Sequence, residues 1–482
     1  MSYLRPYHAF EIDGSHYVYS VWGMSYRRVP ARVVEELAKT RDGEAAELAP
    51  ETLQTIQELG LRWSDKVRSE ADMEDSDRRV AALAREKPGV IDYAALFVDQ
   101  DCNMRCLYCY GDGGAYGGSG NMSEKTAFRA VDWLIGQAGE AKQIGISFFG
   151  GEPLLNFALI EKVVPYARAK VGASRKLELS ITSNLSLLDD RILDFVVANQ
   201  MVVVASIDGP RHIQNRNRPL KNGQDSYETV APRIHKLLAA LPDSSSRSTL
   251  LAGDDPGEVA SGLEALGFRK IHIVASSGCL ITGSRAASSG TESGPHEALN
   301  AFHHDVASRF RQAVARHDAE GARVLSRLGS LSSHFQSLLC NKDLVQAMRR
   351  QRRYFFCGRA MRMVAVAANG DIYPCHRFVG AAEFRMGNVH TGEFRRDEFL
   401  RSPVVENPEC ASCWARYLCG GYCQHDNAAA RGDPMQHDPC SCAQLRARVE
   451  HVIHAVGGLS DEDRNWLADL GIIDELKCTV DI

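Results

Sequence analysis

Apolar positions outline this chain before its composition is considered. From about residue 90, short apolar runs alternate with stretches whose apolar residues recur at the i, i+3, i+4 spacing of a helix face. The runs are "YAALFVD", "IGISFFG", "LELSIT", "MVVVASID", "RSTLLAG" and "KIHIVA". Between them lie "SEKTAFRAVDWLIGQAG", with Ser123 as its N-cap, "NFALIEKVVPYARAKVG", "DDRILDFVVANQ", "SYETVAPRIHKLLAAL" and "EVASGLEALGF". Six strands alternating with helices predict an α/β fold around a parallel sheet. The pattern leaves a partial (β/α)6 barrel and an open doubly wound sheet equally allowed.

Upstream, "HAFEIDGSHYVYSVW" alternates like two short strands around a "DGS" turn, a hairpin signal. "ARVVEELAKT" and "ETLQTIQELGLRW" have helical spacing, and "SEADMEDSDRRVAALAREK" is expected as a helical linker or a solvated face. Downstream, "LITGSRAASSGTESGPH" is rich in Ser, Gly and Thr, as a loop or lid would be. Helical patterns continue to about residue 353. The last third is expected to be irregular, closed by helices over "QLRARVEHVIHAV" and "SDEDRNWLADLG".

Length and charge narrow the function classes. A chain of 482 residues accommodates two or three domains. A formal net charge of -5 offers no broad basic field for nucleic acid. The opening "MSYLRPYHAFEIDG" lacks the apolar core of a secretory signal, and no apolar run approaches a membrane span of roughly 20 residues. A soluble, cytoplasmic protein without a nucleic-acid or membrane partner is expected. Its 14 cysteines are clustered, three near residue 105 and six from Cys410 to Cys442. In a reducing compartment, clustering points to metal more than to disulfides. Cys279 and Cys478 stand alone and are expected to be ordinary thiols.

The segment "DQDCNMRCLYCYGDGG" puts Cys102, Cys106 and Cys109 at C-x3-C-x2-C. Four thiolates close a zinc site or saturate a cubane cluster, whereas three leave one metal position open for a reacting molecule. Other polar punctuation also follows the strands: "GGEP" (Gly150, Gly151, Glu152, Pro153), Ser183–Asn184, and "DGP" beginning at Asp208. In parallel α/β sheets the C-terminal strand ends form the active face. The glycines would let backbone approach a ligand closely, and Ser183 and Asn184 would hydrogen-bond a ribose.

"CNMRCLYC" followed by "GGEP" resembles the radical S-adenosylmethionine (SAM) superfamily, with Tyr108 at the aromatic position beside the last cysteine. The resemblance covers about residues 92–275. It implies a [4Fe–4S] cluster on Cys102, Cys106 and Cys109, with SAM on the open iron and cleaved to a 5′-deoxyadenosyl radical. The tail resembles the SPASM extension of radical SAM peptide maturases, which implies two further [4Fe–4S] clusters. On that pattern Cys357, Cys375 and Cys423 hold the first. Cys410, Cys413 and Cys419 hold the second with Cys442, preferred over Cys440 because "CAQLRARVE" resembles the family's final cysteine leading into a basic helix. The first has no clear fourth ligand. Cys340 is a candidate, and an open iron for a substrate thiolate is the alternative. Related sulfatase-maturing enzymes carry an acidic proton acceptor directly after the cysteine matching Cys375. Here that position is His376, and Asp371 is the nearby substitute. "SIDGPRHIQNRNRP" resembles a segment of peptide-modifying members, in which Asp208, Arg216 and Arg218 would orient substrate.

These resemblances imply a partial (β/α)6 radical SAM barrel at 89–280 and a peptide-recognition domain at 1–88 that adds the peptide as an edge strand. A lid and helical linker at 281–353 and a SPASM domain at 354–482 complete the chain. The layout is most similar to maturases that build thioethers within a polypeptide. One such family serves quinohemoprotein amine dehydrogenase, linking cysteine sulfurs to methylene carbons of Asp or Glu in a small subunit. Another acts on six-cysteine (SCIFF) peptides. A flavodoxin or ferredoxin would be the electron donor. Formylglycine formation and carbon–carbon cross-linking are the rival peptide chemistries.

Overall fold

The computed structural model describes residues 4–41, 48–63, 70–86, 89–276, 280–281, 294–329, 352–400 and 402–472. Cys279, Cys340 and Cys478, and most of the Ser/Gly-rich segment, lie outside them.

The N-terminal hairpin forms as its alternation requires. Strands β1 (Tyr7–Ile12) and β2 (Ser15–Ser20) pair antiparallel across Asp13 and Gly14, and β3 (Ser25–Val29) adds a third strand to β2. One face, with Val18 and Val29, packs on Val33, Leu37 and Ile56 of the two following helices. The other, with Tyr17 and Tyr19, packs on Tyr417, Val449 and Ile453 from the far end of the chain. Both faces of β2 are therefore buried, and this sheet is anchored to the tail.

The predicted strands become β4 (Tyr93–Asp99), β5 (Gln143–Gly150), β6 (Lys176–Ser183), β7 (Val202–Ser206), β8 (Ser245–Leu250) and β9 (Lys270–Ala275). All neighbours are parallel and lie side by side in chain order. A doubly wound sheet reverses its strand order at a switch point. No reversal occurs here, so the winding is that of a partial barrel. The helix after β4, Glu124–Ala138, is capped by Ser123, whose side chain accepts from the Thr126 N–H. The outer core joins Leu96, Ile146, Leu179, Val203 and Ile271 to the helices.

The tail is less irregular than its sequence suggests. Strands β10 (Met363–Val366), β11 (Asp371–Tyr373) and β12 (Gly387–Asn388) extend the barrel sheet beyond β4, making nine strands. β10 runs parallel to β4, and β11 returns antiparallel through Asn369–Gly370, where Gly370 takes φ +89°. Closing helices Pro439–Val456 and Asp461–Asp469 follow, the latter held by a capping box on Ser460. No helix among the described residues is long and apolar enough to cross a membrane.

Candidate active site

The cysteine triplet lies on the loop leaving β4, locked to the loop leaving β5. Gly151 N–H donates to the Asp99 carbonyl at 2.9 Å and Glu152 N–H to the Asp101 carbonyl at 2.9 Å. A Cβ at Gly150 would stand 2.1 Å from the Asp99 carbonyl oxygen, and one at Gly151 would stand 2.1 Å from that of Asp101. These glycines thus admit the cysteine loop itself, where the sequence suggested an approach to ligand. Asp101 fixes the start of the loop, accepting from Cys102 N–H at 2.8 Å and Lys221 Nζ at 2.9 Å.

Cys102 is buried, while Cys106 and Cys109 are half-buried. Burial, with Glu152 and the neighbouring thiols, raises the Cys102 pKa to about 12; burial also raises Cys106 to about 11. N–H donors face the sulfurs: Met104 N reaches Cys102 Sγ at 3.4 Å, Asn184 Nδ2 the same sulfur at 3.8 Å, and Arg218 Nη1 Cys106 Sγ at 3.7 Å. Three adjacent thiols supplied with N–H donors fit a thiolate-held cluster, whose sulfurs need such partners. Among the described residues no three His, Cys, Asp or Glu side chains converge on a point fit for a single ion. Cubane ligands bind separate irons and stand further apart.

Glu152 is buried and braces the next strand end. It accepts from Ser183 Oγ at 2.7 Å, Asn184 N–H at 2.8 Å and Leu154 N–H at 3.0 Å, as Pro153 opens a short 3-10 turn. Burial raises its pKa to about 7 against these three bonds. Asn184 Nδ2 donates to Asn103 at 3.0 Å, and its oxygen accepts from Ser186 Oγ at 2.6 Å. Ser183 and Asn184, expected to meet a ribose, also brace the cysteine loop.

A second brace joins the triplet to β7. Asp208 has no exposed surface and accepts from Tyr108 Oη at 2.5 Å and Thr249 N–H at 3.0 Å. Arg218 Nε lies 3.2 Å from the same carboxylate, an ion pair in which Nε lacks hydrogen-bond alignment. The Arg218 guanidinium also lies over the Tyr108 ring, 5.2 Å from its centre. Asp208, expected to orient substrate, is here bonded to Tyr108 of the cysteine loop. Arg216 pairs instead with Asp254, which is buried.

The tail brings its cysteines together in two groups. Cys375 is within electrostatic reach of Cys357 and Cys423, and Arg377 Nη1 approaches Cys423 Sγ at 3.5 Å. Cys410, Cys413, Cys419 and Cys442 form the second group. Cys440 is exposed and is not among the thiols that act on Cys410 and Cys442. His437 was not anticipated; its Nε2 lies 3.3 Å from Cys410 Sγ. Its signal was only its place between the last two cysteine groups.

Neither expected proton acceptor is placed as one. Against the upward push of burial, hydrogen bonds from Arg385 at 2.6 Å, Asn388 at 2.9 Å and Asn369 at 2.7 Å hold Asp371 below the usual carboxylate pKa. It serves the β11–β12 edge. His376 packs on Phe149, ring centres 5.0 Å apart. Burial, then Arg377, Arg247 and His425, lower its pKa to about 3. A proton placed there would stand among cations.

Residues 98–266, which hold this cysteine loop and most of the parallel sheet, match the model of the Radical SAM superfamily. Over more of its length, the chain is similar to a cysteine-type anaerobic sulfatase-maturating enzyme of Clostridium perfringens. That match is 21% identical over 344 residues, 67% of this chain and 86% of that protein. An uncharacterized protein of Methanocaldococcus jannaschii is 37% identical over 131 residues, 27% of this chain and 43% of the relative, less than half its length. Among solved structures, native anSMEcpe with bound AdoMet and Kp18Cys peptide aligns with a TM-score of 0.60 at 16% identity, covering 79% of this chain and 99% of that one. At such identity the likeness is one of fold.

Proposed function

We propose that this protein is a radical SAM peptide maturase. It joins a cysteine sulfur to a side-chain methylene carbon of Asp or Glu within one small polypeptide, as in the maturation of quinohemoprotein amine dehydrogenase. The observation carrying this reading is the pair of cysteine groups flanking the barrel interior. Cys102, Cys106 and Cys109 lie beyond the end of β4, and Cys375 packs inside against Ala95 and Phe97. When bound, a cluster with SAM on the first group supplies the hydrogen-abstracting radical, and one on Cys357, Cys375 and Cys423 offers iron to a substrate thiolate.

The chain's residues supply the rest. The Asp208 and Glu152 braces fix the cysteine loop. Phe97, Phe149 and Tyr116 keep the interior apolar. Among the described residues β3 pairs only with β2, and its outer edge would take a peptide strand. Cys410, Cys413, Cys419 and Cys442 would hold the third cluster, and a flavodoxin or ferredoxin would deliver electrons in the cytoplasm. Formylglycine formation is the second reading, favoured by the fold likeness. It calls for a proton acceptor beside Cys375, and His376 is poorly suited to that role.

Anaerobic reconstitution should give about 12 iron per chain, falling to about 8 in the Cys102→Ala/Cys106→Ala/Cys109→Ala variant. With SAM and a reductant, a small Cys- and Asp/Glu-bearing peptide should lose two hydrogens and one alkylatable thiol per cross-link. A product that has lost its sulfur would decide for formylglycine. About 4 iron falling to none would remove the tail clusters and the thioether route with them.

A further inference from the structure

The barrel interior carries a cation with no hydrogen-bond or ion-pair partner among the described residues. Along β8, Ser246 and Ser248 are buried at 0% and 1% exposure, while Arg247 between them is exposed. Strand alternation turns it to the opposite face, the one that carries Phe97 on β4 and Phe149 on β5. It pairs in register with Ser206 of β7 and His272 of β9, so it sits in the wall and not on a rim. Its guanidinium makes no hydrogen bond or ion pair with any described residue. The nearby Arg377 is already satisfied by Asp426 at 2.7 Å.

The side chain is exposed, yet loss of bulk water and then Arg377 lower its pKa. Burial, then Arg247, lowers the pKa of His272, and Arg247 adds to the burial and Arg377 that lower that of His376. A guanidinium on the inner face of the sheet without an ion-pair partner offers an anion a charge-assisted contact. Its position selects which one. Arg247 precedes the end of β8 by three residues, roughly 10 Å of strand. The cysteine triplet lies past the end of β4, whereas Tyr110, Asp426 and Cys423 are near enough to perturb Arg247. It therefore addresses the space between the two cysteine groups, where a peptide side chain would be presented.

We infer that Arg247 is a specificity-determining residue that pairs with a carboxylate of the peptide, selecting Asp or Glu over Asn or Gln inside the barrel. This rests on the peptide-maturase reading. A guanidinium presents a planar fork that matches a carboxylate and not an amide. The SAM carboxylate is the other anion of the same chemistry, and the test separates the two.

The test uses the full, anaerobically reconstituted chain and two synthetic peptides, identical except for Glu or Gln a few residues from a single Cys. Wild type should bind the Glu peptide about tenfold more tightly, an ordinary difference for a charge-assisted pair. Arg247→Gln should bring that ratio close to one, and Arg247→Lys should restore part of it, with iron content reporting intact folding. Equal binding of both peptides by wild type, or an undiminished ratio in Arg247→Gln, overturns the inference. A raised KM for SAM in peptide-free cleavage by Arg247→Gln also overturns it, assigning the guanidinium to SAM. If wild type keeps the Glu preference but cleaves no SAM, the radical reading fails while the carboxylate site stands.

Discussion

Glu152 offers a quantitative test of how the cysteine loop is braced. It is 1% exposed, and burial lifts its carboxyl from 4.5 to about 7. A folded-state pKa above the unfolded one means that the native state holds the proton more tightly. The resulting stabilisation is complete below about pH 4.5 and is lost as pH rises through 7. A shift of this size corresponds to about 3 kcal/mol. Glu152→Gln abolishes the titration. It keeps one oxygen for Ser183 and Leu154 but turns an amide N–H2 toward the Asn184 N–H, at a cost of about 1–3 kcal/mol that does not vary with pH. The stability difference between variant and wild type should therefore move by about 3 kcal/mol in favour of the variant between pH 4.5 and 8. Urea unfolding midpoints across that range measure it, and infrared difference spectra should show a protonated carboxyl that titrates near neutrality only in wild type. A pH-independent difference between the two proteins would refute the reasoning.

The second brace predicts non-additivity. Asp208→Asn leaves the Arg218 guanidinium buried without its counter-charge and should cost about 3–5 kcal/mol, whereas adding Arg218→Met should cost clearly less than the sum of the two single changes, read from thermal unfolding in a double-mutant cycle. Additive losses would mean that the two groups do not act as a pair. Gly151→Ala would place a Cβ 2.1 Å from the Asp101 carbonyl oxygen; it should displace the cysteine loop and cut reconstituted iron by about 4 per chain. Because Cys442 joins the Cys410 group and Cys440 does not, Cys442→Ser should lower iron content while Cys440→Ser leaves it at the wild-type level; the reverse pattern would exchange their roles.

What the sequence disclosed divides along physical lines. The barrel strands were legible because each is a local apolar run closed by a local helix signal, and their pairing follows chain order. The cysteine triplet was legible because thiols at that spacing have few other uses. The strands β10 to β12 were not foreseen. They are short, and β10 completes itself on β4, some 270 positions earlier in the chain. The signal was nevertheless present: "VAVA", then Asn369–Gly370, then "DIY" is the pattern of a tight hairpin. Asp208, Ser183 and Asn184 were correctly located at strand ends, yet the residues they meet cannot be read from a linear pattern. Their partners come from other strands, which turns groups suited to ligand binding into braces.

Arg247 shows the same limit from the other side. In "SSRSTLL" it reads as a polar residue on a half-exposed strand, the least informative position a pattern can offer. Only its register between Ser206 of β7 and His272 of β9, on the sheet face that carries Phe97 and Phe149, converts surface charge into interior charge. The two braces and the lone guanidinium then divide the work. Glu152 and Asp208 are engaged in bracing the cysteine loop. Arg377 is consumed by Asp426 beside Cys423. A site in which these anions and cations are already paired selects by the charge left over, and among the described groups facing the interior that charge is carried by Arg247.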